Sequence, residues 1–399
     1  MLQAYELGRK VGVVLNRVKP GNRQSIGRWV RAALTRCFRR LSLSIFGTVS
    51  VDQSGPYELL PSITYSIREF QMTQLQQETY KFPVDVISGS SQMGEFEHRP
   101  FRIACFSGGY VAGNGRAFDG RGRLVLDSVA SHQHKVTNPG FFRTRRALRK
   151  SGVHLNLNWW PGTGNIFHWN RDVLSRAYAL KGLPSDTSIK IIAPDSRLEY
   201  QTHGLERLSQ MFENVEVVHQ KFGEWWQVDE VVVPSQAPYL TGSGFLHPEV
   251  ADFVRNVSLK DVIESPVRIP VLYISRAKSR HRRILDEQQL LKEMNSNFPI
   301  KVAYMESYSY LEQMILMQSV EVIVGAYGAG LTHVLFGKRK GLIEIHNGDS
   351  KETHFATLAL ATRCPYVQVQ GRKSDDRQDF ELGKPGIARV LSALDEMVR

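Results

Sequence analysis

Val320-Glu-Val-Ile-Val-Gly325-Ala-Tyr327-Gly328-Ala329-Gly330-Leu331-Thr332-His333-Val-Leu-Phe336 is the stretch whose reading decides the fold. An apolar run rich in β-branched residues (Val322, Ile323, Val324) predicts a buried strand. Gly325, Gly328 and Gly330 then predict a tight loop, and Leu331–Phe336 a helical segment. A strand feeding a glycine-rich turn and a helix start makes a cradle for phosphate, because bare backbone N–H groups point at the anion. Several chemistries use such a cradle, so by itself it indicates only a nucleotide or phosphate ligand.

Outward from this stretch, strand and helix signals alternate: strand Val271–Ser275, helix Ile284–Met294, strand Ile300–Tyr304, helix Tyr310–Ser319, strand Val320–Val324, strand Gly341–Ile345 and a closing helix over 386–398. Upstream, Ile189–Pro194, Gly204–Phe212, Val215–Val218 and Glu230–Pro234 alternate in the same way, with a helix over 165–182 before them. This pattern predicts an α/β protein with parallel sheets. Residues 50–150 read as short strands joined by turns at Gly108-Gly109, Gly113-Asn114-Gly115 and Asp119-Gly120-Arg121-Gly122. The run Arg143, Arg145, Arg146, Arg149, Lys150 reads as a solvated loop or helix start. Residues 237–268 read as a connector with a helix near Pro248–Asn256. The expected division is a basic segment over 1–50, an N-terminal domain over 51–245 and a C-terminal domain over 246–399, with a ligand cleft between the two domains.

The chain has 399 residues and a formal charge of +12. Residues 1–50 hold ten Lys and Arg against one acid, Glu6, and so carry +9 of it. A basic end on a nearly balanced body argues for an anionic surface met by one segment, not for nucleic acid. Residues 26–46 read as a basic amphipathic helix suited to a membrane interface; a helix packed on the body is the alternative. No apolar run reaches the roughly 18 residues that span a bilayer. The N-terminus lacks a signal-peptide core, so the expected location is cytoplasmic, peripheral at an inner membrane. Cys37, Cys105 and Cys364 lack metal-ligand spacing and read as buried thiols.

Three constellations carry chemistry. In Asn165-Ile-Phe-His168-Trp-Asn-Arg-Asp172-Val-Leu-Ser-Arg176, an α-helix would put His168, Asp172 and Arg176 on one stripe, where an ionised Asp can take a hydroxyl proton; an ordinary surface ladder is the competing reading. Ser275-Arg276-Ala-Lys278-Ser-Arg280-His281-Arg282-Arg283 follows a strand, where a basic loop can hold a diphosphate through arginine forks or simply be solvated. Glu344-Ile-His346-Asn347 ends a strand, where the carboxylate can accept ribose hydroxyls or serve the strand terminus. No His-Glu-x-x-His or Asp-x-Asp element is present, so no metal site is expected.

With these blocks in view, the chain resembles glycosyltransferase family 61. Phe167-His168-Trp169-x-x-Asp172-Val173-Leu174-x-Arg176 is similar to that family's Phe-His-Trp helix. Tyr273-Ile-Ser275-Arg276 through Arg282-Arg283-Ile-Leu-Asp286-Glu287 is similar to its Ser-Arg…Arg-Arg-x-x-Asn-Glu block. Glu312-Gln313 through Gly325-Ala-Tyr327-Gly328-Ala329-Gly330-Leu331-Thr332 is similar to its Gly-x-His-Gly-Ala-Gly-Leu-Thr-Asn block. The chain departs from the pattern at Tyr327 (usually His), His333 (usually Asn) and Asp286 (usually Asn). The resemblance implies a GT-B architecture, two facing Rossmann-like domains with a cleft between them. It implies inverting transfer without a metal or cofactor, from a nucleotide sugar taken as UDP-linked to a glycan acceptor, in surface polysaccharide synthesis. Asp172 is then the expected base, with His168 second. Arg276, Arg282, Arg283, Tyr327, Gly328, Ala329, Gly330, Leu331, Thr332 and Glu344 are expected around the donor, and Asn165, Arg176 and Glu312 elsewhere in the cleft. A scaffold of the same fold that binds glycan or a partner without turnover is the alternative.

Overall fold

The structure, a computed structural model, describes residues 48–51, 54, 57–61, 63–66, 95–98, 100–129, 146–159, 164–195, 198–235, 246–337, 341–347, 354–372 and 375–398. The amphipathic helix expected over 26–46, and most of the basic 1–50 segment, lie outside the described residues. Described strands are β1 (Thr48–Val49), β2 (Tyr57–Leu60), β3 (Ile63–Ser66), β4 (Glu95–His98), β5 (Phe101–Ser107), β6 (Tyr110–Ala112), β7 (Ala117–Phe118), β8 (Leu124–Val125), β9 (Leu148–Asn156), β10 (Ile189–Pro194), β11 (Val215–Gln220) and β12 (Trp225–Pro234) in the first half. The second half supplies β13 (Ile269–Ile274), β14 (Ile300–Ala303), β15 (Val320–Ala326), β16 (Gly341–His346) and β17 (Tyr366–Gln370).

The first sheet is mixed. β12, β9, β10 and β11 form a parallel core in that order, while β5 and β6 pair antiparallel with β12 and extend the sheet. The expected turns at Gly108-Gly109, Gly113–Gly115 and Asp119–Gly122 join β5 through β8. One correction concerns 146–150: Arg149 and Lys150 are in strand β9, and Lys150 lies over the Trp226 ring, 4.8 Å from its centroid. A paired strand, not a solvated loop, receives these cations because β9 is needed between β12 and β10.

The second sheet is wholly parallel, in the order β14-β13-β15-β16-β17. Its helices fall on both faces, and β15 shows why. Val322 and Val324 pack into one cluster with the closing helix Gly383–Val398, while Ile323 packs into the other. Each such buried side chain contributes ~1.5–3 kcal/mol, so a run apolar on both faces is stable only between two helical layers. The second cluster is continuous with the first sheet: Leu155, Ile189 and Ile191 share it with Leu272, Ile323 and Leu342. Val250, Phe253, Val254 and Val257, on the helix Pro248–Leu259, belong to the same cluster. That helix starts at His247, whose ring accepts from Glu249 N, with Pro248 at its first position.

In chain order the second sheet reads 2-1-3-4-5. Its two central strands, β13 and β15, send their connections to opposite sides, which opens a crevice beyond their carboxyl ends. Ser275-Arg276 leaves β13 there, and the glycine-rich loop leaves β15 there. A separate cavity of about 470 Å³ lies against Asp195, Thr202, Glu206, Ser209 and His219. Its lining includes two acids and no Lys or Arg, so it does not suit a phosphate. Among the described residues no helix is long and apolar enough to cross a membrane. Cys105 is exposed, contrary to expectation, whereas Cys364 is buried.

Candidate active site

Tyr327 and Gly328 turn the chain out of β15, and a 3-10 helix runs over Ala329–Phe336. Gly328 is extended, at φ 171°, a conformation open to any residue. The space beside it is taken by a neighbour instead: a Cβ there would displace the guanidinium of Arg276. Gly330 is likewise crowded, since its Cβ would fall 3.2 Å from Ile274 Cγ2. Arg276 is therefore laid directly on the loop backbone. Its Nη2 donates to His281 O at 3.0 Å, and its Nε is buried without a hydrogen-bond partner. Burial, followed by the nearby Arg282 charge, lowers the Arg276 pKa, with Glu306 and Asp379 opposing. Arg282 takes a left-handed backbone (φ 61°), donates to Gln378 Oε1 at 2.8 Å, and stacks 4.6 Å from the Tyr327 ring centroid. Neither Arg276 nor Arg282 is ion-paired with a carboxylate among the described residues. Two guanidinium groups thus converge on a glycine loop at a strand-end crevice, an arrangement that selects an anion.

The 165–182 segment is helical but not one continuous α-helix. An α turn at Ile166–His168 gives way to a π turn at Trp169–Val173 and then to 3-10 winding over Leu174–Gly182. π turns cost helix geometry and occur where side chains must be re-aimed. Here His168 Nδ1 donates to Asp172 Oδ2 at 2.7 Å. Arg171 grips the same carboxylate with Nε on Oδ1 (2.8 Å) and Nη2 on Oδ2 (3.0 Å). Burial raises the Asp172 pKa, but the Arg171 charge and the His168 and Arg171 hydrogen bonds outweigh it and hold the carboxyl below its ordinary value. A carboxylate can only accept, so His168 carries a hydrogen on Nδ1. The side chain of His168 is 19% exposed and that of Asp172 2%.

Aromatic contacts join the two groups. His168 meets Phe167 edge-on at 5.3 Å, and Phe167 stacks on His354 at 5.1 Å. His354 lies 6.3 Å from Tyr327, which itself sits 4.6 Å from His346. Burial, then the Arg171 and His168 charges, pushes His354 down to about 3, so its ring is neutral. Sequence reasoning missed His354 and Arg171 as members of this group. His354 opens a helix of apolar residues with no motif around it, and Arg171 lies off the His168, Asp172 and Arg176 stripe that an α-helix would form.

Other expected residues are placed differently. Arg283 is tied to Asp379 through Nε, Nη2 and its own backbone N–H, so it braces 375–383 and does not face the loop. Glu344 is wholly buried at the end of β16, accepts from Tyr366 OH at 2.6 Å and lies 2.7 Å from His346 Nε2. Glu312 completes a capping box with Ser309. Asn165 caps the turn at Phe167 N. Arg176 is buried, its pKa lowered by burial to about 10 against the pull of Asp127 and Asp172. Thr332 is fully buried, and Leu331 N donates within the loop to Gly328 O at 2.9 Å, leaving Ala329 and Gly330 as the loop amides without an intrahelical acceptor. Asp286 accepts from the Leu382 and Gly383 amides. Among the described residues no group of three or more His, Cys, Asp or Glu is arranged to hold a metal ion.

Residues 166–343, which contain all three motif blocks, match the family model described as Glycosyltransferase 61. A 71-residue stretch, 17% of this chain, is 31% identical to the EGF domain-specific O-linked N-acetylglucosamine transferase of Drosophila melanogaster and covers 14% of that protein's length. The motif blocks and the matched region coincide: over residues 166–343 the chain is similar to the glycosyltransferase 61 family.

Proposed function

We propose that the chain is an inverting glycosyltransferase of GT-B type that moves a sugar from a nucleotide-sugar donor to a glycan hydroxyl. The carrying observation is the pairing of Arg276 with the glycine loop at the β13/β15 crevice, with Arg282 beside it and, among the described residues, no carboxylate in an ion pair with either. A diphosphate completes that site: Arg276 Nε gains an acceptor, and the two like charges gain a counter-ion. Arg276, Arg282 and the Ala329 and Gly330 amides take up negative charge as the nucleoside diphosphate leaves. His168 Nε2 accepts the proton of the attacking hydroxyl, while Asp172 holds the ring in the required tautomer and offsets the imidazolium that forms, as in other His–Asp pairs. This reverses the order expected from sequence, because Asp172 has both oxygens engaged and is closed off from solvent. The nucleotide-binding unit then corresponds to residues 246–399 and the acceptor side to residues 51–245. The donor is taken as UDP-linked, and no cofactor is assigned a role.

A second reading is favoured by the Phe167–His354–Tyr327 contacts, which fill the space between His168 and Gly328: a scaffold that binds the nucleotide or a glycan without turnover. Calorimetry with nucleoside diphosphates, followed by a nucleotide-sugar panel scored for donor cleavage, separates the two. Binding with cleavage supports transfer, and binding without cleavage by any donor supports the scaffold. Absence of diphosphate binding overturns transfer and leaves only a scaffold that holds a glycan.

A further inference from the structure

His333 stands where the family's block usually has Asn, and its surroundings are specific. Its side chain is 1% exposed, under the glycine-rich loop. Nδ1 lies 2.7 Å from Gly330 O, and Nε2 lies 2.7 Å from Gln313 Oε1. The orientation of the Gln313 amide follows from its other end, where Nε2 donates to Met305 O (2.9 Å) and Tyr308 O (3.0 Å). Turned over, that amide would set its oxygen against two carbonyl oxygens. Both ring nitrogens of His333 therefore face atoms that only accept. A neutral imidazole carries one hydrogen and would press a lone pair against one of those oxygens at 2.7 Å. The neighbouring acid, Glu312, is committed to the Ser309 cap.

We infer that His333 is held as the imidazolium beneath the glycine-rich loop and acts as a positioning residue for a nucleoside diphosphate. It anchors the Gly330 peptide to the helix Tyr310–Gln318 through Gln313, and it places a fixed positive charge behind the Ala329 and Gly330 amides. The charge adds to that of Arg276, whose guanidinium lies against Gly328 of the same loop, and of Arg282 over the Tyr327 ring. The assignment of the ligand rests on the reading above; the charge state of His333 does not.

Ring-¹⁵N-labelled histidine in the full chain tests the charge state without ligand, with His333 assigned through the adjacent Phe336 ring, 5.6 Å away. The expected spectrum at neutral pH shows two protonated ring nitrogens; a one-hydrogen tautomer overturns the inference. Calorimetry tests the consequence. His333→Gln is expected to weaken nucleoside diphosphate binding roughly tenfold, the size of one nearby charge in a partly screened site, and to weaken the monophosphate less. Equal losses for both ligands, or none, overturn the electrostatic role. If the unaltered chain binds no diphosphate while His333 still shows two ring hydrogens, the glycosyltransferase reading fails and the charge assignment stands. Should the Gln variant not fold, His333→Asn, which restores the residue usual in the family, replaces it in the same titration.

Discussion

Two arginine clusters, one following β9 and one following β13, are treated in opposite ways. Arg171 is buried, clamped on Asp172 and stacked 4.4 Å from the Phe167 ring centroid, so its charge is cancelled within the protein. Arg276 and Arg282 press on each other, and Glu306 and Asp379 offset them only at a distance. A cancelled cation orders structure, here the His168–Asp172 pair. An uncancelled pair of cations marks where an external anion completes the electrostatics. Charge balance, more than the number of arginines, separates the two clusters: one is neutralised internally and the other is left positive.

The sharpest way to break the comparison lies on the cancelled side. His168→Gln keeps a donor for Asp172 but removes the proton acceptor; transfer is expected to fall by roughly two to four orders of magnitude while calorimetric diphosphate affinity is unchanged. An unaltered rate, read by donor turnover, would remove His168 as base. Asp172→Asn leaves Arg171 buried without its counter-ion, so denaturant unfolding should show a loss of ~3–5 kcal/mol. A fully stable Asn variant would mean that Arg171 is not balanced by Asp172.

On the uncancelled side, Arg276→Ala is expected to weaken nucleoside diphosphate binding about 10- to 100-fold, the range of a lost charged hydrogen bond, with little loss of stability. Gly328→Ala should produce a similar defect by displacing the Arg276 guanidinium. If Gly328→Ala binds normally, the close approach of Arg276 to the loop is not what makes the site.

A smaller effect is visible in pH. His354 is neutral in the folded chain down to about 3, below the ordinary histidine value of 6.5. Between these limits the unfolded chain takes up a proton that the folded chain does not, so stability falls as pH is lowered through this window. From pH 7 to pH 5 the contribution is ~2 kcal/mol. His354→Leu should remove that part of the acid sensitivity in paired urea melts, and an unchanged pH slope would contradict the buried neutral ring. The smallest effect belongs to Glu312→Gln, which should cost under ~1 kcal/mol as a cap change and leave diphosphate affinity unaltered.

Four strands of the second sheet were legible in sequence because their signals are local; β17 was not among the expected strands. β-branched runs, glycines at strand ends and a Ser309…Glu312 cap each sit within a few residues of the structure they produce. The expected strands recur within a residue or two, and the loops after β13 and β15 fall at one crevice as the spacing implied. The first sheet was less legible, because β5 and β6 join β12 across more than a hundred residues and carry no motif. Within the site, side-chain partners separate what looked alike. Arg276, Arg282 and Arg283 form one basic run, yet only Arg283 meets Asp379, 96 positions away.

The amino-acid order by itself determined the alternation of strand and helix, the glycine loop and the set of arginines near it, since periodicity and backbone freedom act over a few residues. Only the tertiary structure decided which arginine lies on Gly328, that Asp172 is enclosed and His168 presents the ring, and that His333 and His354 face opposite demands, one between two acceptors and one beside cations. Those outcomes depend on burial and on neighbours brought from distant parts of the chain, and desolvation makes the energy of a charged side chain a property of its surroundings and not of its position in the sequence.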